Sequence, residues 1–90
     1  MVRRDKVEWI EADDYYARSH AHGRSYPAAR GAGLHEKRLA GTRLVRVHRG
    51  AVVHLDRIRR PGAAELTLVS GTVIPVSRRR RARLLERMRG

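Results

Sequence analysis

Arginine is the residue type best placed to do chemistry in this chain. A run of Arg78-Arg79-Arg80-Arg81, with Arg83 close behind, follows an apolar stretch directly, and Arg49 stands between two short apolar runs. A guanidinium offers a bidentate pair of donors to the O6/N7 edge of guanine, and it can equally clamp a phosphate, which positions a protein without reading sequence. For Arg49 both readings stay open, beside plain solvation. The run at 78–81 is either a solvated helix start or a contact with a polyanion. Cations at a helix N-terminus oppose the helix dipole, and a nearby polyanion would offset that cost, which favours the second reading.

Other reactive residue types are present but poorly arranged for catalysis. His20-x-His22 projects two rings to one face of a strand, with no third ligand at a suitable spacing, so exposed hairpin residues are the simpler reading. His48 reads as a strand residue that is hydrogen-bonded or faces a polyanion, and His54 as structural. Asp13-Asp14 reads as a turn. Glu8 and Glu11 fall on opposite strand faces and cannot converge on one substrate atom. Ser77 has no histidine base nearby and reads as a helix cap. Gly31-x-Gly33 lacks the flanking strand and helix of a phosphate loop. Trp9, the one tryptophan, reads as core. No catalysis, cofactor, metal or small-molecule substrate is expected.

Composition narrows the partner. The 90 residues suit one domain, and 21 lysines and arginines against 9 aspartates and glutamates leave a net charge of +12. A surplus of that size repels itself in the compact state, and a nucleic acid relieves it by exchanging condensed counterions for arginines. No 18-residue apolar run is present, so a membrane span is not expected. The chain has no cysteine, which removes disulfides, thiolate nucleophiles and cysteine-ligated zinc. The charged N-terminal residues carry no apolar signal segment, and the default expectation is a cytoplasmic protein.

The elements that must hold these arginines are mostly short strands. Val7–Ala12 alternates, with Val7 and Trp9 on one face and Glu8 and Ile10 on the other. Ala17–Ala21 and Arg24–Pro27 predict a hairpin around His22-Gly23. The stretch from Ala28 to Gly41 is hard to read, with Leu34–Leu39 as a helical turn or two. Leu44–Val47 and Ala51–Leu55 predict strands broken by Arg49-Gly50, and Arg60-Pro61-Gly62 predicts a turn. Glu65–Val69 and Val73–Val76 predict a hairpin across Ser70-Gly71-Thr72, with Leu68 opposite Ile74 and Leu66 opposite Val76. Pro75 places that last strand at an edge or turns its missing donor outward. Ser77 then opens a helix over Arg78–Met88, with Leu84, Leu85 and Met88 on one face and Arg79 and Arg83 on another.

Three stretches carry a resemblance: Trp9-Ile10-Glu11-Ala12-Asp13-Asp14-Tyr15-Tyr16; the block from Val45 to Ile58, VRVHRGAVVHLDRI; and LTL at 66–68 followed by Gly71-Thr72 and Ile74-Pro75-Val76-Ser77-Arg78. In order and spacing they resemble the LytTR DNA-binding domain of bacterial transcription regulators, along nearly the whole chain. Gly50 and His54 stand where that family more often has serine and asparagine. The resemblance implies small antiparallel sheets of short strands with short helical segments, one at the C-terminus. It implies a single domain over residues 1–90 that lacks most of the family's first strand. It also implies sequence-specific binding of double-stranded DNA through loops that enter the major groove. Base contacts would fall at Arg49, at Arg79 and in the region from Tyr16 to Arg18, where Ala17 holds the aligned slot. Arg18, His48, Arg80 and Arg83 would neutralise phosphates, and a second copy could occupy a repeated half-site. Two other expectations stand beside this one: a basic nucleic-acid-binding protein without sequence preference, and a truncated domain that serves as a protein-interaction module.

Overall fold

A computed structural model describes residues 7–12, 17–21, 24–28, 39 and 41–89. They form two antiparallel sheets and a C-terminal helix. The larger sheet contains β1 (Trp9–Ala12), β2 (Ala17–Ala21), β3 (Arg24–Ala28), β4 (Leu44–His48) and β5 (Ala51–His54), ordered β3-β2-β1-β5-β4. A single 3-10 turn, Leu55–Arg57, leads into the smaller sheet of β6 (Ile58–Pro61), β7 (Glu65–Leu68) and β8 (Val73–Pro75), ordered β6-β7-β8. Helix α1 (Arg78–Arg89) closes the chain. Mainly β architecture with a short C-terminal helix is therefore what the residues form. Among the described residues no helix is long and apolar enough to cross a membrane.

Alternation explains why the larger sheet carries apolar residues on both faces. Val45, Val47, Ala51 and Val53 look toward the smaller sheet, where Leu66, Leu68, Ile74 and Val76 meet them together with Leu84 of α1. Leu44 and Val52 point the other way and pack with Ile10, Ala17, Val7 and Leu39. Every residue of β5 is buried. Each fully buried aliphatic side chain contributes roughly 1.5–3 kcal/mol, so the inner layer around Val47, Val53, Leu66 and Leu68 dominates the stability. Trp9 is half-buried against this layer and stacks on His20 at 4.2 Å, with the rings 5° apart. Glu8 reaches Ser70 Oγ in the β7–β8 loop, on the side of the smaller sheet rather than beside Ile10 as expected, and Glu11 lies 3.2 Å from His20 Nε2.

Several sequence expectations need correction. Val7 packs with Ile10 rather than beside Trp9, because it precedes the strand, where pleated alternation no longer governs it. Arg60-Pro61 is the end of β6 rather than a turn, and Pro61 lies opposite Leu66 on an edge strand that tolerates its missing donor. The β7–β8 register is Leu66↔Ile74 and Thr67↔Val73, two residues away from the expected pairing. The loop is Val69-Ser70-Gly71: the Leu68 carbonyl accepts from Gly71 N–H at 2.9 Å, and the Leu68 N–H donates to Thr72 at 2.8 Å. Gly71 has φ +94°, the left-handed position that ends a three-residue hairpin loop, and this conformation sets the register. The face assignment survives, since an even slide keeps all four aliphatics inward. In α1 only Leu84 enters the core, at 1% exposure, while Leu85 and Met88 are 43% and 37% exposed. The packed stripe is Arg80, Leu84 and Arg87, with arginine stems flanking one leucine.

Other expectations hold or lie elsewhere. The β2–β3 hairpin forms as expected, and β8 is an edge strand that carries Pro75. Leu39, the one described residue of 34–39, is helical. Asp13-Asp14, His22 and Gly31-x-Gly33 lie outside the described residues.

Candidate nucleic-acid interface

Register places two of the expected site residues, Arg18 and His48, at one end of the larger sheet. Arg18 pairs with Glu11, Glu11 with Ala51, and Ala51 with His48, so Arg18 and His48 occupy a single row across four strands. Three inter-strand spacings separate them, about 14 Å. The Arg49-Gly50 turn lies just beyond that row. Arg18 is half-buried, and its Nη1 is 3.4 Å from Ser25 Oγ. Tyr16 lies outside the described residues.

A β-bulge shapes the other part of this end. Pairing slips between Arg46 and His48, so that Val47 is the extra residue of β4. The Val47 carbonyl, released from the ladder, accepts the Ser77 N–H at 2.7 Å. The start of α1 is thereby fixed against the strand that leads to Arg49. The Ser77 carbonyl accepts from Arg80 N–H at 3.1 Å, as a residue opening a helix should. Its hydroxyl, expected to cap the helix, is buried and has no hydrogen-bond partner among the described residues, which corrects that expectation.

The turn itself is braced by side chains. His48 Nδ1 accepts the Gly50 N–H at 3.1 Å, and Arg46 Nη2 donates to the Arg49 carbonyl. His54 repeats the device, its Nδ1 accepting from Asp56 N–H at 3.1 Å to cap the 3-10 turn. A ring nitrogen here does what an asparagine oxygen would do, which accounts for histidine at that position. His54 is 6% exposed and structural, as expected.

Arg49, Arg79 and Arg83 are exposed, and their guanidinium groups make no hydrogen bond or ion pair among the described residues. Arg79 and Arg83 sit one helical turn apart. Arg80 is half-buried and engaged within the fold, more stem than free charge. The structure thus brings Arg49, His48 and the α1 start together, and sets Arg18 apart on β2. Among the described residues no cluster of three or more histidine or acidic side chains could hold a metal.

Two basic features escaped the sequence reading. Arg46, expected only as part of the Leu44–Val47 strand, reaches over the turn that follows. Arg43 pairs with Asp56 at 2.6 Å and, with Arg83, Glu86 and Arg87, lines an open cleft of about 480 Å³ at the far end of β4. Arg87 donates to the Thr42 carbonyl there. No local pattern marks these contacts, since each joins segments distant in sequence; the Arg43–Asp56 hydrogen bond holds the Asp56 carboxyl below its ordinary range.

Comparison with known proteins bears on the fold and the family. No curated protein matches the chain. Among solved structures it is similar to the LytTr DNA-binding domain of a putative methyl-accepting/DNA response regulator from Bacillus cereus, with a TM-score of 0.74 and 22% identity over 99% of this chain and 85% of that one. The family model described as LytTr DNA-binding domain matches residues 1–89. With that match across nearly its full length, the chain belongs to the LytTR family of DNA-binding domains.

Proposed function

We propose that this domain binds double-stranded DNA in a sequence-specific manner, as a non-catalytic regulator of bacterial transcription that acts in the cytoplasm, through loops inserted into the major groove. The observation that carries the reading is the joint at Val47 and Ser77. It ties the strand that leads to the exposed Arg49 to the residue that opens the helix carrying the exposed Arg79, and neither guanidinium has a partner among the described residues. Arginine is the residue best suited to guanine in the major groove, and its value there depends on being held in position. Arg49, Arg79 and the segment from Tyr16 to Arg18 read bases in this proposal. His48, Arg80, Arg83 and Arg18 serve the phosphates, and a second copy binds a repeated half-site. The family match and the net charge of +12 support DNA as the partner.

Selection from random duplexes at moderate salt tests this. A recovered motif, present twice at fixed spacing, is the expected result. Binding should weaken steeply with salt, with a log–log slope of roughly −4.5 to −6 for five to seven neutralised phosphates. Arg79→Ala should flatten discrimination between sites, whereas Arg83→Ala should weaken all sites alike. Selection that enriches no sequence, with duplexes of every sequence bound equally, would point instead to a non-specific basic protein.

A further inference from the structure

Arg46 and His48 flank the β-bulge and turn their side chains back onto the Arg49-Gly50 turn. Gly50 has its N–H satisfied by His48 Nδ1, and Arg49 has its carbonyl satisfied by Arg46 Nη2. The two bonds hold opposite sides of the same two-residue turn. From the third side, the Val47 carbonyl is fixed by Ser77 N–H at 2.7 Å. Arg49 itself is exposed, and its guanidinium contacts nothing within the described residues. Its Cα is therefore anchored while its side chain is kept for something outside the chain.

We infer that Arg46 and His48 are positioning residues for Arg49, and that DNA specificity depends on Arg46 although it does not contact DNA. This deepens the proposed DNA-binding reading and rests on it. A bidentate guanidinium discriminates between bases only if its approach is set within a fraction of an ångström; a loose turn lets the same arginine settle on any phosphate. Bracing by a side chain rather than by the ladder follows from the bulge, which takes Val47 out of regular pairing and leaves the turn with fewer backbone bonds. Arg46 is half-buried beside Leu39, Val45, Arg83 and Arg87 and is engaged within the fold. His48 accepts through Nδ1, so its proton resides on Nε2 while the brace is formed.

The test compares a selected duplex with a scrambled one. Arg46→Met keeps the apolar stem and removes the donor. It should lower the ratio of specific to scrambled affinity by roughly tenfold, in the range set by one bidentate base contact. The salt slope should stay unchanged, because no phosphate contact is lost. His48→Ala should lower the ratio as well, beside a uniform loss on both duplexes from its phosphate contact, and His48→Asn should restore the ratio, since an asparagine oxygen can accept the N–H two residues on. Thermal unfolding of each variant identifies any that is simply unfolded, and His48→Asn, with its acceptor intact, then carries the comparison. The inference is overturned if Arg46→Met weakens both duplexes equally with a slope reduced by about 0.9, the mark of a direct phosphate contact. It is also overturned if His48→Ala and His48→Asn behave alike. If Arg49→Ala itself leaves the ratio unchanged, the DNA-reading role of that arginine fails, which is a different result from failure of the brace.

Discussion

The Ser77 N–H donates to the Val47 carbonyl at 2.7 Å, joining the bulged residue of β4 to the residue that opens α1. The turn that carries Arg49 and the first turn of the helix that carries Arg79 therefore share one anchor. Residues that share a support do not act independently. Replacing Arg49 or Arg79 with alanine should each cost about 1–3 kcal/mol on a selected duplex. The double replacement should fall short of the sum by about 0.5 kcal/mol or more. Equilibrium titration of the four proteins measures this, and additivity to within about 0.3 kcal/mol would show two separate contacts.

Ser77 also makes an unusual prediction about stability. A capping serine replaced by alanine costs about 0.5–2 kcal/mol. Here the hydroxyl is buried with no partner, while the bonds that matter run through the backbone N–H and C=O. Ser77→Ala should therefore leave stability unchanged or raise it slightly, as seen in urea midpoints. A loss above about 1 kcal/mol would mean that the hydroxyl finds a partner in solution.

The β7–β8 hairpin turns on Gly71. Its φ of +94° is strained for any residue with a Cβ, although open space surrounds the position. Gly71→Ala should cost about 1–2 kcal/mol from backbone strain alone, and Gly71→Asn less. Gly62→Ala should cost more than Gly71→Ala, because a Cβ there would lie 2.3 Å from the Glu65 carbonyl oxygen. Comparison of urea midpoints for the three variants gives the order.

That hairpin shows what could be read without a structure. Alternation identified Leu66, Leu68, Ile74 and Val76 as an inward face, and they are buried. It could not choose the register, since sliding one strand by two residues leaves every side chain on the same face. The choice lies in the backbone of one glycine. The same logic hides β6, whose Arg59, Arg60 and Pro61 show no apolar alternation and are exposed. In α1 the wheel grouped Leu84 with Leu85 and Met88, whereas arginine stems on either side of Leu84 complete the packed stripe. Arg49 and Arg79 were legible as charges out of place, and their assignment came from the resemblance. Arg46 was not, because its task depends on a bulge that no local pattern announces.

Arg43 and Asp56 predict a pH effect confined to acid. Asp56 is held below its ordinary value of 3.8, chiefly by the hydrogen bond from Arg43; desolvation opposes this, and the charges of Arg43, His54 and Arg57 add to the lowering. A carboxyl whose folded value is depressed stabilises the protein fully above its unfolded value of about 3.9, and that stabilisation is lost as pH falls through the lower folded value. The difference in urea midpoint between the natural chain and Asp56→Asn should therefore be constant from pH 6 to pH 8. It should shrink below about pH 4 and vanish in stronger acid. Both side chains are exposed, so the difference should be small and should fade in about 0.5 M salt. A difference that persists in acid would show that it does not come from the Asp56 charge; the Asp56 backbone N–H that His54 accepts is retained by the asparagine variant and cancels in the comparison.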